Sequence, residues 1–422
     1  MATLDELERD PHPALAALRP IGWVDALGGW VVSCRSLAIA VMRNPDTFTV
    51  DDPRFSTAQV VGPSMLSLDG PAHAAHRIPF ESPFGLAETR RRFKAPVERT
   101  VAELIEALPG HAPTPARLGV TSTPSGPHPR PHQPTPAPAM PTPAPPTPTP
   151  THATSGPHAR PELQSADLRT TLAGPLSVAV VAYSLGLPQA SAATVLDWYT
   201  AISDSVTGVA AGRSVTAEGA AAFAELHKHV ASGIDSPSLL HTAARDLTLD
   251  QVVANAAVLM FGGIETTEGM ITNALWHLLT HPEQLALVRA DPTLLPNALE
   301  ESLRLEPAAA VVDRYATRDI ELAGAHIRRG DLVVVSLAGA GRDPEVFPDP
   351  DTFDVRRSNA RRHLAFASGP HICLGMHLTR LETQTAVAAV LDLPGLRLEP
   401  ESPAPRGLVF RKVPALNVTW EA

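Results

Sequence analysis

Cysteine is scarce: the 422 residues contain only Cys34 and Cys373, too few for a disulfide framework and in keeping with a reducing compartment. Basic charge is also in deficit. With a formal net charge of −10 and a pI of about 5.9, no global positive field points to nucleic acid or an anionic membrane, so any basic docking surface must be local. No uncharged apolar run approaches the ~20 residues of a spanning helix. The first ten residues are acidic and have no basic stretch followed by an apolar one, so neither a signal peptide nor an anchor is expected. A cytoplasmic, non-membrane protein, monomeric, is the expectation. There is no dinucleotide fingerprint and no cysteine set for an iron–sulfur cluster, so any redox chemistry must draw electrons from outside the chain.

Proline is the opposite case, and it is concentrated. Residues 111–162 hold 17 of the 44 prolines, interleaved with Thr, Ala, His and Ser, and contain no aromatic residue and no isoleucine. Such a composition buries too little apolar surface to offset chain entropy, and a disordered, polyproline-like insertion is expected. Its five histidines lack regular spacing and read as solvated. Outside it, helical periodicity covers Leu172–Leu187, Ala190–Val206, Thr216–Gly233, Leu249–His281 and Leu294–Leu305. From Tyr315 onward short β-like runs take over, at Ile320–Leu322, His326–Ile327 and Leu332–Val335. Phe48–Leu68 reads as a long irregular loop.

Four places carry chemistry. In Phe366–Gly375, Cys373 sits between two glycines just before a helical segment, where a helix N-terminus lowers a thiol pKa. Gly369 and Gly375 let the backbone pass close to a flat partner, and Phe366 shields one side of the sulfur. This suits a heme-iron thiolate ligand, while a buried small hydrophobe is equally compatible with the decapeptide alone. Within the longest helical pattern, Gly262-Gly263-Ile264-Glu265-Thr266-Thr267 is a poor mid-helix sequence; it reads as a widened turn or kink admitting a small ligand, or as a hydroxyl bonded back to its own turn. Asp69 reads as the cap of a helix with Pro71 in its first turn and with His73 and Arg77, four apart, on one face. Glu301 and Arg304 lie three apart, and Arg356, Arg357, Arg361, Arg362 and His363 form a dense basic cluster upstream of Cys373.

Order and spacing together resemble the bacterial cytochrome P450s. Phe366, Gly369, Cys373 and Gly375 match the family's F-x-x-G-x-x-x-C-x-G loop, Glu301 and Arg304 its E-x-x-R pair, and Gly262–Thr267 its oxygen-binding groove. Asp69-Gly70-Pro71 with His73 and Arg77 match the helix that meets a heme propionate. The resemblance implies a single domain, mainly α with a smaller β-rich lobe, shaped as a triangular prism with heme b between a central and a proximal helix. It implies Cys373 as axial thiolate, dioxygen at Gly263, and propionate contacts from His73, Arg77, Arg314 and either His371 or His363. Glu265 would relay protons, Thr266 would hold the oxygen by hydrogen bonds, and Glu301 and Arg304 would be structural. The activity implied is monooxygenation of a small, apolar organic molecule, with electrons from a separate ferredoxin and its reductase docking on Arg356, Arg357, Arg361 and Arg362; the alternative is a non-oxygenating heme-thiolate carrier or sensor. Walls of the substrate pocket are expected at residues 48–68, 196–223, 308–312 and 408–410. The proline-rich insertion has no counterpart in typical relatives, and two single positions also depart from the family pattern. Gly341 stands where asparagine is frequent, and Thr352 stands where many relatives have arginine, which leaves the third partner of Glu301 and Arg304 open.

Overall fold

The computed structural model describes residues 3–110, 162–187, 190–210, 212–235 and 238–422. The proline-rich stretch, apart from Glu162, lies outside the described residues. The chain is mainly helical and is built around one long helix, Leu249–Thr280. Its start is written in the sequence: the Thr248 side chain accepts from the Gln251 amide while the Gln251 side chain accepts from the Thr248 amide, a reciprocal cap. Apolar residues fill nearly every face, so helices must pack all round it. Gly174–Leu185, Met376–Leu391 and Leu295–Leu305 do so, and their side chains share one hydrophobic core with it.

A five-stranded sheet forms the smaller β-rich part, in the order Ile21–Val24, Gly29–Val32, Leu332–Ser336, Val311–Ala316, Phe48–Thr49. Gly29–Val32 and Leu332–Ser336 run parallel with Val31 opposite Val334; the other neighbours are antiparallel. The period-two alternation explains why Leu332–Ser336 is so apolar. Val333 and Val335 face one core with Val32 and Phe48, while Val334 faces another with Leu15 and Val31. Val311–Ala316 carries Arg314 inward at the edge of the helical part.

The expected elements appear with small shifts at their ends, and three differences have physical causes. Residues 48–68 are not one irregular loop: Phe48–Thr49 pairs with Tyr315–Ala316, and Ser56–Val61 is helical. Asp69 occupies the N-cap position of Gly70–Phe84 but makes no cap bond, because its carboxylate accepts from Thr49 and from the Val50 amide, both 2.9 Å or shorter. The central helix runs unbroken through Gly262-Gly263, since tertiary packing on both sides outweighs their poor propensity.

Candidate functional site

The loop Phe366–Gly375 is folded by its own backbone. The Cys373 amide donates to the Phe366 carbonyl at 2.8 Å and the Ile372 amide to that of Gly369 at 3.1 Å. Gly369 has φ +81°, and a Cβ there would stand 2.7 Å from the Met42 carbonyl. This glycine therefore serves the junction with helix Arg35–Met42, not the approach of a flat partner as expected from sequence. Gly375 matches that expectation better, for its nearest neighbour is Thr379 Oγ1 at 3.9 Å. Burial pushes the Cys373 thiol up, against the amides of Gly375 and Met376 and the charges of Arg77 and Arg380, which favour the thiolate. The helix N-terminus acts in the expected direction, but desolvation outweighs it. A thiolate here calls for a cation directly on sulfur.

Cys373 opens onto a cleft of about 160 Å³. Gly262, Gly263 and Val258 of the central helix line it opposite Leu374 and Gly375, with Arg77 and His371 also among its walls. The two central glycines differ. A Cβ on Gly263 would collide with the Val181 side chain, whereas a Cβ on Gly262 would meet nothing within 4 Å. The open notch expected at Gly263 is thus at Gly262, and Gly263 lets helix Gly174–Leu185 pack close. Thr266 donates its hydroxyl to the Gly262 carbonyl at 2.5 Å, the back-bonded alternative read from sequence. Glu265 ion-pairs with Lys412 at 2.7 Å and accepts from the Tyr199 hydroxyl. Burial would raise its pKa, but Lys412 and Tyr199 together hold it below the ordinary value. Lys412 also reaches Glu268 at 2.7 Å, and Glu268 reaches Arg169 at 2.6 Å. Tyr199 and Lys412 come from segments remote in sequence and carry no motif, so nothing in the pattern marked them. Glu382, deeply buried and with one carboxylate oxygen unpartnered, also lines the cleft; burial raises its pKa well above normal.

The expected cations do converge at one end. His371 Nε2 meets Asp69 Oδ1 at 2.8 Å, and the His371 and His73 rings lie 4.3 Å apart. His73 is buried, with Nε2 unpartnered, and burial lowers its pKa to about 4. Asp69 falls to about 2: burial opposes this, but the bonds from His371, Thr49 and Val50 prevail. Arg77 donates to the Ile372 carbonyl and to Glu81, each at 2.9 Å, tying its helix to the cysteine loop. Arg314 is 5 % exposed, donates to the Asp313 carbonyl, and has no carboxylate within 4.0 Å among the described residues.

His363 does not belong to this set. It pairs with Glu300 at 2.9 Å, and Arg380 clasps the same carboxylate at 2.7 and 2.9 Å while stacking over Phe366. The open question about Glu301 and Arg304 also has an answer. Arg304 grips Glu301 at 2.7 and 2.8 Å, and the third partner is Arg357, whose Nε donates to Glu301 at 2.8 Å. Arg357 is 9 % exposed and further donates to the carbonyls of Pro348, Asp349 and Thr352. It is therefore not part of a docking face; Arg356, Arg361 and Arg362 remain exposed.

These features test whether heme fits. Among the described residues no three His, Cys, Asp or Glu side chains come together as a metal site, so a metal on Cys373 would draw its other ligands from a prosthetic group. Two buried nitrogen donors without anionic partners, on His73 and Arg314, match a group that carries carboxylates. The residues fit.

Comparison with known proteins gives the same picture. The cytochrome P450 sequence profile matches residues 234–406. The chain is 37% identical over 276 residues to the cytochrome P450 monooxygenase PikC of Streptomyces venezuelae, an alignment covering 60% of this chain but only 64% of that protein. It is 37% identical over 272 residues to nocardicin C N-oxygenase of Nocardia uniformis subsp. tsuyamanensis, covering 60% of this chain and 67% of the relative. In three dimensions it superposes on P450BioI, crystallised with an acyl carrier protein bearing hexadec-9Z-enoic acid, with a TM-score of 0.78 at 24% identity, covering 99% of this chain and 100% of that one. The 37% identity to nocardicin C N-oxygenase over two thirds of that protein carries the conclusion: the chain belongs to the cytochrome P450 family.

Proposed function

We propose that this chain is a heme-dependent monooxygenase that uses dioxygen and two externally supplied electrons to insert one oxygen atom into a small, predominantly apolar organic substrate, with hydroxylation as its principal reaction. The observation that carries this reading is the half-buried Cys373 facing the notch at Gly262 across one cleft, with an acid and an alcohol on the same helix. Cys373 would bind the heme iron through its sulfur, and Arg77, Arg314, His371 and His73 would meet the carboxylates of the group. Heme bound there supplies the activation of dioxygen, which a thiolate ligand favours by pushing electron density toward O–O cleavage.

The chain's own residues hold the substrate, exclude water and move protons. Met65, Leu66, Val181, Val258 and Leu259 make the cleft wall apolar and select against charged molecules. Thr266 can leave the Gly262 carbonyl by a χ1 rotation and turn its hydroxyl to the notch. Glu265 exchanges a proton with Tyr199 or Lys412, each already in contact with its carboxylate. A ferredoxin with its reductase is the donor we assign, on the exposed Arg356, Arg361 and Arg362.

The test is the reduced, carbon monoxide-bound absorption spectrum of the heme-loaded protein. A red-shifted, thiolate-type Soret band is expected in the native chain and is lost in Cys373→Ser. Heme incorporation without that band in the native chain would remove the assignment. Charge reversal at Arg356, Arg361 and Arg362 should slow reduction by ferredoxin and weaken its salt dependence, while Arg357 is left untouched.

A further inference from the structure

A second cavity, of about 640 Å³, lies apart from the cysteine cleft and shares no lining residue with it. Its walls come from helix His12–Ala17 and the residues around it, the C-terminal part of the central helix, the end of Leu295–Leu305, and the segments at Arg342 and Arg411. The charge there is unevenly matched. Glu306 is the one buried carboxylate on the wall, and it serves three partners: His12 at 2.8 Å, Arg342 at 3.1 Å and Arg411. Arg342 also meets Asp351 at 2.6 Å, but Asp351 and Asp10, the other wall carboxylates, are exposed and solvated. Arg9 is likewise exposed and paired with Asp5.

Arg19 is left over. It donates from Nη2 to the carbonyls of Gly339 and Arg342, both at 3.2 Å, and among the described residues no carboxylate lies within 4.0 Å of it. Its Nε, the Nε of Arg342 and the Nδ1 of His12 are buried without a hydrogen-bond partner. Carbonyl dipoles orient a guanidinium but do not neutralise it, and a partly buried cation of this kind is favourable only when an anion approaches. The rest of the wall is apolar, with Trp276, Pro13, Pro350 and Pro405 around the charged floor. The volume is in the range of small-molecule sites.

We propose that this cavity is a second binding site, for a small organic monoanion that places a carboxylate on Arg19 and an apolar or aromatic body against Trp276. A single negative charge follows from the single unmatched guanidinium. A dianion would be opposed by Glu306 and Asp351, and a neutral ligand would leave Arg19 uncompensated. Arginine's planar fork also favours a carboxylate, which it can take in two parallel bonds. This inference goes beyond the monooxygenase reading and does not depend on heme.

The experiment titrates the full-length, heme-loaded protein with cyclohexanecarboxylate and, separately, with cyclohexanecarboxamide. Trp276 emission is read as the difference between the native chain and Trp276→Phe, and stoichiometry comes from equilibrium dialysis. The acid should give a saturable change and bind at least ten-fold more tightly than the amide. Arg19→Gln should weaken the acid to the level of the amide, and Arg19→Lys, which keeps the charge but not the fork, should recover part of the loss. Equal binding of acid and amide to the native chain in equilibrium dialysis overturns the proposal whatever the variants' folding, and the absence of a saturable Trp276 signal overturns it too. Undiminished binding of the acid to Arg19→Gln overturns it as well.

Discussion

In the proposed mechanism Glu265 and Thr266 serve the proton path to the groove, yet both side chains are already engaged, and that engagement sets what substitutions should do. Lys412 holds the Glu265 carboxylate in its charged form against the desolvation that would neutralise it. In Lys412→Met the burial cost is no longer offset, so the Glu265 pKa rises and the acidic limb of the pH–turnover profile should move to higher pH. An unmoved limb would mean that Lys412 serves only Glu268. Thr266→Ala removes the hydroxyl that donates to the Gly262 carbonyl and that, in the proposed mechanism, turns to the notch. Product formed per electron consumed should fall by roughly ten-fold or more while substrate affinity stays the same. Unchanged coupling would take Thr266 out of the mechanism.

The elements behind the cysteine loop are held by buried charge, and here the cost of a break is large. Glu301 and Arg304 are fully buried, and Arg357 adds a third member from a neighbouring irregular segment. Arg357→Met would leave the Pro348 carbonyl without a donor and remove one bond to Glu301, whose carboxylate Arg304 and the Asp354 amide still serve, destabilising the fold by about 1–3 kcal/mol. Arg356→Met, one residue away but exposed, should change stability by less than about 0.5 kcal/mol, so a pair of urea melts separates the two roles. The central helix carries an acid sensor in His277, bonded to Ser302 at 2.9 Å and stacked on Phe353. Burial lowers its pKa from 6.5 to about 3. Between those values the unfolded chain binds the proton and the folded chain does not, so this contribution is present above pH 6.5 and is lost as pH falls toward 3. His277→Gln should flatten the decline of stability over that window. How far these features were legible in the sequence depends on their span. The cysteine loop and the order of the four motifs are local patterns and could be read directly; that Asp69 makes no cap bond could not, because its partners Thr49 and Val50 lie about twenty residues upstream. Arg357 as the third partner could not: it lies beyond Thr352, the position that the usual pattern marks, and reaches Glu301 only through the path of an irregular segment. The exchange of roles between Gly262 and Gly263 was hidden for a similar reason: which glycine faces space depends on where helix Gly174–Leu185 packs.

At the scale of the whole molecule the question is what the proline-rich stretch contributes to stability. Gly110 and Gln164, on either side of the proline-rich stretch, touch: a Cβ on Gly110 would collide with the Gln164 side chain. Leu163–Asp167 is then fixed by pairing with Asn417–Glu421, and the helix Leu86–Glu106 packs on both Met376–Leu391 and Gly174–Leu185. The two ends that flank the stretch are therefore held close together by elements that are anchored on their own. Closing a loop costs entropy that grows with the logarithm of its length, so replacing about fifty residues with about six should stabilise the fold by about 2 kcal/mol. A chain with residues 111–161 exchanged for a six-residue Gly/Ser linker should melt no lower than the native one, and the thiolate-type carbon monoxide spectrum should be retained. A melting temperature lowered by several degrees would show instead that the stretch packs against the fold and contributes contacts of its own.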